Sequence, residues 1–143
     1  MIQNHLNYIA ISTLLILLTA CGSSDDDPCE GLVCTEEFRV EYVTVVNQNQ
    51  EPVALDEFLV VNMELNYPLR LSEELTAEEF QLAREQGRYP LLTDSDLPPL
   101  QTTYIQFRGI LNNEILIKED YDVSADCCHV LTPTGNLDIT INN

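Results

Sequence analysis

The sequence predicts an all-β fold, a mainly antiparallel β-sandwich of the immunoglobulin or prealbumin type with one short inserted helix. Three observations support this prediction: several short segments of alternating apolar and polar residues, Pro- and Asn-rich turns between them, and a single segment with convincing helix signals. A small β-barrel is the second choice of architecture.

Five segments carry strand signals. Val, Ile, Thr and aromatic residues, which fit a pleated surface, recur in residues 38–46, 53–63, 103–111, 114–124 and 137–142. Asn112 and Asn113 stand between the third and fourth segments and fit a two-residue hairpin turn, because Asn tolerates positive φ. The apolar residues expected on the inner face of this hairpin are Ile105, Phe107, Leu111, Ile115, Ile117, Tyr121 and Val123.

The helix is expected shortly before residue 87. Thr76 followed by Glu79 forms a capping box, and Gly87 stands where a left-handed residue ends a helix. Its short apolar stripe consists of Phe80, Ala83 and Leu82. We therefore expect a surface helix that covers one edge of a sheet. The next segment, residues 89–100, is expected to be irregular because three prolines interrupt ladder pairing.

The N-terminal segment has the features of a targeting signal. An apolar run over residues 8–20 is too short to cross a bilayer but suits the apolar region of a secretory signal. It ends in Leu18-Thr19-Ala20-Cys21, which resembles the lipobox of bacterial lipoproteins. The resemblance implies that residues 1–20 are a signal peptide and that Cys21 becomes the acylated first residue.

An acidic run follows the lipobox. It consists of Ser23, Ser24, Asp25, Asp26 and Asp27. The run resembles the export tag on surface lipoproteins of the Bacteroidota, and an ordinary tether extended by charge repulsion is the alternative. The tag implies an outer-membrane lipoprotein displayed at the cell surface, whereas the tether leaves the periplasmic face open.

The charge of the chain limits its partners. With 24 acidic and 6 basic residues, the formal net charge is −18. Nucleic acid is not an expected partner, because phosphate binding needs clustered Lys and Arg. An anionic membrane surface would repel the domain as well, so the acyl chains at Cys21 are expected to attach it to the bilayer.

Four further cysteines predict two disulfides. Cys29, Cys34, Cys127 and Cys128 are an even number in an exported chain. Neighbouring side chains of an extended strand point to opposite faces, so we favour Cys34–Cys128 with Cys29–Cys127. Cys29–Cys34 with a vicinal Cys127–Cys128 bond is the alternative. Residues 21–37 are then an acidic tether and Cys knot, and residues 38–143 form one sandwich domain.

Catalytic and metal chemistry have little support in the sequence. His129 is the only histidine after the signal peptide, and it has no G-x-S-x-G neighbour. Its two adjacent cysteines are better explained as disulfide halves than as a metal site. Calcium ligands could come from Asp94, Asp96, Asp120 and Asp122. A solvated acidic loop or strand face is the more ordinary interpretation of each.

We therefore expect a non-catalytic binding or structural module that requires no cofactor and has a surface protein or a glycan as its partner. Tyr67, Tyr89 and Tyr104 flank the helix and the proline-rich segment, and exposed tyrosines there would anchor such a ligand. Core tyrosines are the more ordinary interpretation. A calcium- or metal-dependent accessory domain and a carboxylate-based glycan-active enzyme are the alternatives.

Overall fold

The structure, a computed structural model, describes residues 27–142. Residues 27–30 form a turn, and the β-domain begins at Gly31. The strands within the described residues are β1 (Val40–Asn47), β2 (Glu57–Asn62), β3 (Tyr67–Leu71), β4 (Arg88–Thr93), β5 (Thr102–Leu111), β6 (Glu114–Ser124) and β7 (Asp138–Ile141). A 3-10 turn, Ser72–Glu74, and helix α1, Ala77–Gln86, lie between β3 and β4.

The strands form two sheets. One has the order β4-β1-β7 and the other the order β3-β2-β5-β6. Every named strand pair is antiparallel except β1 with β7, which is parallel. The prediction of an all-β fold with one inserted helix is confirmed for the described residues. The choice between an immunoglobulin-like and a prealbumin-like type stays a prediction.

The core lies between the two sheets. Val43 and Val45 from the first sheet and Val60 and Phe107 from the second have no exposed surface. Phe58 is 1% exposed, and its ring centroid lies 5.9 Å from that of Phe107. Complete burial of one such side chain contributes about 1.5–3 kcal/mol, so these contacts hold the sheets together.

Tyr89 joins this core to the segment before β2. Its hydroxyl accepts a hydrogen bond from the amide of Leu55 at 2.7 Å and donates one to the carbonyl of Val53 at 2.6 Å. Burial raises the pKa of Tyr89, so the hydroxyl keeps the proton that it donates. The segment predicted as one strand over residues 53–63 therefore consists of two parts, a loop anchored by Tyr89 and then β2.

The β5–β6 hairpin forms as predicted. Asn112 and Asn113 have φ values of 53° and 66°, the positive values of a tight hairpin turn. Ile117, Tyr121 and Val123 are buried, as expected. Ile115 is 48% exposed, so its inward placement is wrong. The cause is a register shift between Gly109 and Ile110, which changes the alternation at the end of the hairpin.

Helix α1 has the predicted ends. Thr76 accepts a hydrogen bond from the amide of Glu79, and the Glu79 carboxylate accepts one from the amide of Thr76. Gly87 ends the helix with a φ of 62°. Ala83 is buried, as predicted, but Leu82 is 52% exposed and faces away from the core.

The structure contains two strands that the sequence analysis missed. β3 includes Pro68, and β4 includes Pro90 in the segment expected to be irregular. Both strands lie at the edge of their sheets, where a proline does not remove a hydrogen bond that a second neighbour needs. The two edge strands and the helix between them contribute residues to a cleft that is a candidate functional site.

Candidate functional site

A cleft lies beside helix α1 and is lined by residues of β1, β3, β4 and the helix. Its volume is about 260 Å³. The lining residues are Val40, Tyr42, Arg70, Leu75, Glu79, Leu82, Ala83, Gln86, Arg88, Pro90 and Thr93. The cleft thus combines apolar walls with a few polar groups, as small-molecule sites do. We refer to it as the helix-side cleft.

Arg88 and Tyr42 form a stacked pair in the helix-side cleft. The guanidinium carbon of Arg88 lies 4.0 Å from the centroid of the Tyr42 ring. Thr44 is the register partner of Arg88 and Pro90 that of Tyr42, so the stacked residues are diagonal neighbours across β1 and β4. A cation–π contact of this kind fixes the guanidinium plane.

Arg70 supplies a second guanidinium to the cleft, but an acidic turn neutralises it. Its Nη2 lies 2.7 Å from the Asp96 carboxylate, and both side chains are largely buried. Asp96 also accepts hydrogen bonds from the amide and the hydroxyl of Thr93 at 2.6 and 2.8 Å. Asp96 therefore shapes the wall of the cleft by fixing Arg70.

Among the residues that the structure describes, Glu79 is the only acidic one that lines the cleft. Its carboxylate accepts hydrogen bonds from the amide and hydroxyl of Thr76 at 2.8 and 2.7 Å. These bonds lower the pKa of Glu79, since they favour the charged form. Glu79 therefore belongs to the cap of the helix rather than to an ion pair with either arginine.

A second cluster holds the segment before β1 against the loop after β6. Cys34 and Cys128 form a disulfide that joins positions 94 residues apart. Beside it, His129 Nε2 lies 2.9 Å from the hydroxyl of Thr35, and His129 Nδ1 lies 2.9 Å from the carboxylate of Asp94. We call this group of five residues the Cys–His clamp.

The backbone holds the two carboxylates of this region in place. Asp94 accepts hydrogen bonds from the amides of Arg39 and Val130, each at 2.8 Å. Burial alone raises the pKa of Asp94, but these amides and His129 outweigh it, so the net pKa is lowered. The Asp126 carboxylate accepts bonds from the amides of Cys128 and His129, which lower its pKa.

The clamp resembles a hydroxyl–imidazole–carboxylate chain, the arrangement that activates a nucleophile in serine hydrolases. The cavity beside it, lined partly by Asp94 and His129, has a volume of about 50 Å³. That is room for about one or two water molecules, not for an acyl substrate. We therefore interpret the chain as a structural cross-link. The side chain of His129 is only 11% exposed, so its contacts with Thr35 and Asp94 are largely shielded from water.

The four acidic residues considered as calcium ligands do not come together. Asp94 and Asp96 bind the protein donors described above, and Asp120 accepts a hydrogen bond from Gln106 at 2.8 Å. Asp122 is exposed on β6. Within residues 27–142, no group of three or more His, Cys, Asp or Glu side chains is placed to hold a metal ion.

The predicted disulfide chemistry is present. The favoured Cys34–Cys128 bond is confirmed, and it excludes the alternative of Cys29–Cys34 with a vicinal bond. Cys29 and Cys127 are disulfide-bonded as well. Cys34 and Thr35 contact the loop at residues 128–129, so these two residues of the predicted Cys knot are held against the sandwich domain.

The predicted lipidation and export signals lie mostly outside the described residues. The described residues begin at residue 27 and so do not include Cys21, Ser23, Ser24, Asp25 and Asp26. The last member of the run, Asp27, is exposed, and its carboxylate accepts a hydrogen bond from the amide of Cys29 at 2.9 Å.

The tyrosines of the cleft differ from those that the sequence suggested. Tyr89 is in the core, Tyr67 is 42% exposed, and Tyr104 is half-buried; none of them lines the helix-side cleft. Tyr42 and Arg88 were missed, because they meet only through the register of β1 with β4. The sequence signal for them was slight: each is a polar residue at an outward position of a strand.

No protein-family model, curated protein or solved structure matches this chain. Among residues 27–142, no helix is long and apolar enough to span a membrane.

Proposed function

We propose that this chain is a lipid-anchored, extracytoplasmic binding module whose ligand site is the helix-side cleft. The observation that carries the proposal is the stacked Arg88–Tyr42 pair, which stands in a cleft of about 260 Å³ beside apolar walls. The guanidinium of Arg88 is held against the ring without a carboxylate partner among the described residues, which leaves its N–H donors available to a ligand.

The anchoring part of the proposal rests on the N-terminal sequence and the disulfides. Two disulfides are consistent with an extracytoplasmic compartment, where such bonds persist. The lipobox-like Leu18-Thr19-Ala20-Cys21 supports acylation at Cys21, and Ser23 to Asp27 support display on the outer membrane. Attachment then comes from the acyl chains, since a chain with a net charge of −18 is repelled by anionic lipids.

Ligand screening with a blocked cleft tests the binding role. Leu82 lines the cleft and is half exposed, so Leu82→Trp fills it without disturbing the core. Gln81 is also exposed on α1 but does not line the cleft, so Gln81→Trp is the matched control. A ligand of the parent protein should lose affinity for the Leu82 variant only. Equal affinity for both variants contradicts the cleft as the site.

Acyl labelling tests the anchor. The parent protein should incorporate radiolabelled palmitate and partition with membranes, and Cys21→Ala should do neither. Equal incorporation into the Cys21 variant contradicts lipidation at this residue.

A further inference from the structure

We infer that the helix-side cleft binds a small organic carboxylate, and that the Arg88 guanidinium forms an ion pair with the carboxylate group of this ligand. This inference rests on the proposed function of the cleft as a binding site. It adds the chemical class of the ligand and the residue that selects it.

The stacked geometry leaves the donors of Arg88 available. A guanidinium has five N–H groups in one plane, and contact through its face with the Tyr42 ring uses none of them. Among residues 27–142, Arg88 makes no salt bridge and no side-chain hydrogen bond. Its rigid fork therefore matches the two oxygens of a carboxylate and loses little conformational entropy on binding.

The pairing of the charged side chains in the cleft leaves one cation for a ligand. Arg70 is paired with Asp96, and the Glu79 carboxylate accepts its hydrogen bonds from Thr76, so among the described lining residues Arg88 is the cation without an acidic partner. A carboxylate brings a single charge to this single guanidinium. A dianionic phosphate would leave one charge unmatched inside a protein whose net charge is already −18.

The walls and the volume of the cleft limit the rest of the ligand. Leu75, Leu82, Ala83 and Pro90 provide apolar surface in the lining of the cleft. A volume of about 260 Å³ is below the ~300–1,000 Å³ of sites for drug-sized molecules. The ligand therefore has the size of a substituted benzoate or a single sugar acid. Both present the same carboxylate, and the experiment distinguishes them.

Two matched pairs of probes test the inference on the full chain. Benzoate is compared with benzamide, and galacturonate with galactose, so that each pair differs in the charged group. Binding is followed through the Nε–H resonance of Arg88 and the ring resonances of Tyr42. We expect at least one carboxylate to shift both signals, and its neutral partner to bind at least tenfold more weakly.

Arginine variants identify the residue that selects the carboxylate. Arg88→Gln should weaken carboxylate binding at least tenfold, and Arg88→Lys should weaken it less, because Lys keeps the charge but loses the fork. Arg108 lies on β5 and donates its Nε–H to Gln106, so Arg108→Gln is the control and should leave binding unchanged. The parent titrations are decisive even if a variant does not fold.

Three results would overturn the inference. If benzamide or galactose binds in the cleft as well as the matching acid, the carboxylate class is wrong, whereas the cleft remains a binding site. If phenyl phosphate binds more tightly than benzoate, the charge argument is wrong. If none of the probes shifts Arg88 or Tyr42, the cleft does not take a small carboxylate. Only the blocked-cleft screen decides whether the cleft binds another ligand.

Discussion

The imidazole of His129 lies 2.9 Å from the carboxylate of Asp94, 35 residues earlier in the chain. Asp94 follows β4 and His129 follows β6, so this contact joins the ends of strands that belong to different sheets. The opposite nitrogen of the same imidazole contacts Thr35, so one side chain connects three segments. The Cys–His clamp therefore fixes the segment before β1 against the segments that follow β4 and β6.

Asp94→Asn should destabilise the domain at neutral pH by about 1–3 kcal/mol, because it weakens a largely buried hydrogen-bond network. The pKa of Asp94 is lowered below its ordinary value of 3.8 in the folded protein. Because the pKa of Asp94 is lower in the folded than in the unfolded protein, its ionised carboxylate stabilises the fold at pH values above the unfolded-state pKa. This stabilisation is lost as the pH falls through the folded-state pKa. The cost of the substitution should therefore shrink below about pH 4. Urea unfolding of the parent and the variant between pH 3 and 7 measures this difference in the free energy of unfolding.

Asp138→Asn is the control for this experiment, since Asp138 is exposed on β7 and makes no side-chain hydrogen bond among the described residues. It should change stability by less than about 0.5 kcal/mol. A cost for Asp94→Asn that is constant from pH 3 to pH 7 would show that its charge does not matter.

Gly87→Ala should be more disruptive than Gly31→Ala. Both glycines have positive φ, 62° and 79°, so both substitutions carry a backbone penalty of about 1–2 kcal/mol. A Cβ at Gly87 would also lie 2.5 Å from the carbonyl oxygen of Val45, whereas nothing lies within 4 Å of a Cβ at Gly31. Thermal unfolding should show a larger loss for Gly87→Ala. Equal losses would mean that β1 moves to admit the methyl group.

Removal of the Cys34–Cys128 disulfide alone should cost much less than removal of both disulfides. In the chain-entropy model, one bond that closes a loop of about 95 residues contributes about 4–5 kcal/mol. The predicted Cys29–Cys127 bond closes nearly the same loop, so it retains most of that constraint when Cys34 and Cys128 are replaced by Ser. Unfolding of the two double variants and the quadruple variant tests this. Equal and additive costs would argue against the predicted pairing.

Replacement of Asp25, Asp26 and Asp27 by Ala should leave acylation of Cys21 intact and protect the protein from protease added to whole cells. The reason is that the tag, not the acyl group, is proposed to direct display. Replacement of Glu73, Glu78 and Asp138 by Ala removes the same charge from exposed positions of the domain and is the control. If both variants remain accessible to protease, the run is only a tether.

Much of the fold was predictable because the signals were local. Thr76, Glu79 and Gly87 define the helix ends through contacts within a few residues, and Asn112 and Asn113 define a turn by their own backbone preference. The two strands with prolines were missed, because only their position at a sheet edge makes Pro68 and Pro90 acceptable.

The candidate site was less predictable than the fold. Tyr42 and Arg88 lie 46 positions apart in sequence and become neighbours through the register of two strands. The same is true of Thr35, Asp94 and His129, of which only Asp94 and His129 attracted interest as isolated residues. Local pattern identifies strands and turns, whereas a site depends on which strand ends meet.

The parallel pairing of β1 with β7 also predicts the order in which the domain folds. Thr44 pairs with Asp138, so the three-stranded sheet remains incomplete until a segment far downstream in the chain is available. The β5–β6 hairpin needs only its own two strands, and low contact order favours its early formation. Pulse-labelled hydrogen exchange should protect the amide of Phe107 before that of Thr44, which donates a hydrogen bond to the carbonyl of Leu137 just before β7. The reverse order would contradict this sequence of events. Until β7 is in place, the folding chain exposes one edge of β1, and this unpaired edge is the part of the folding intermediate that is most open to aggregation.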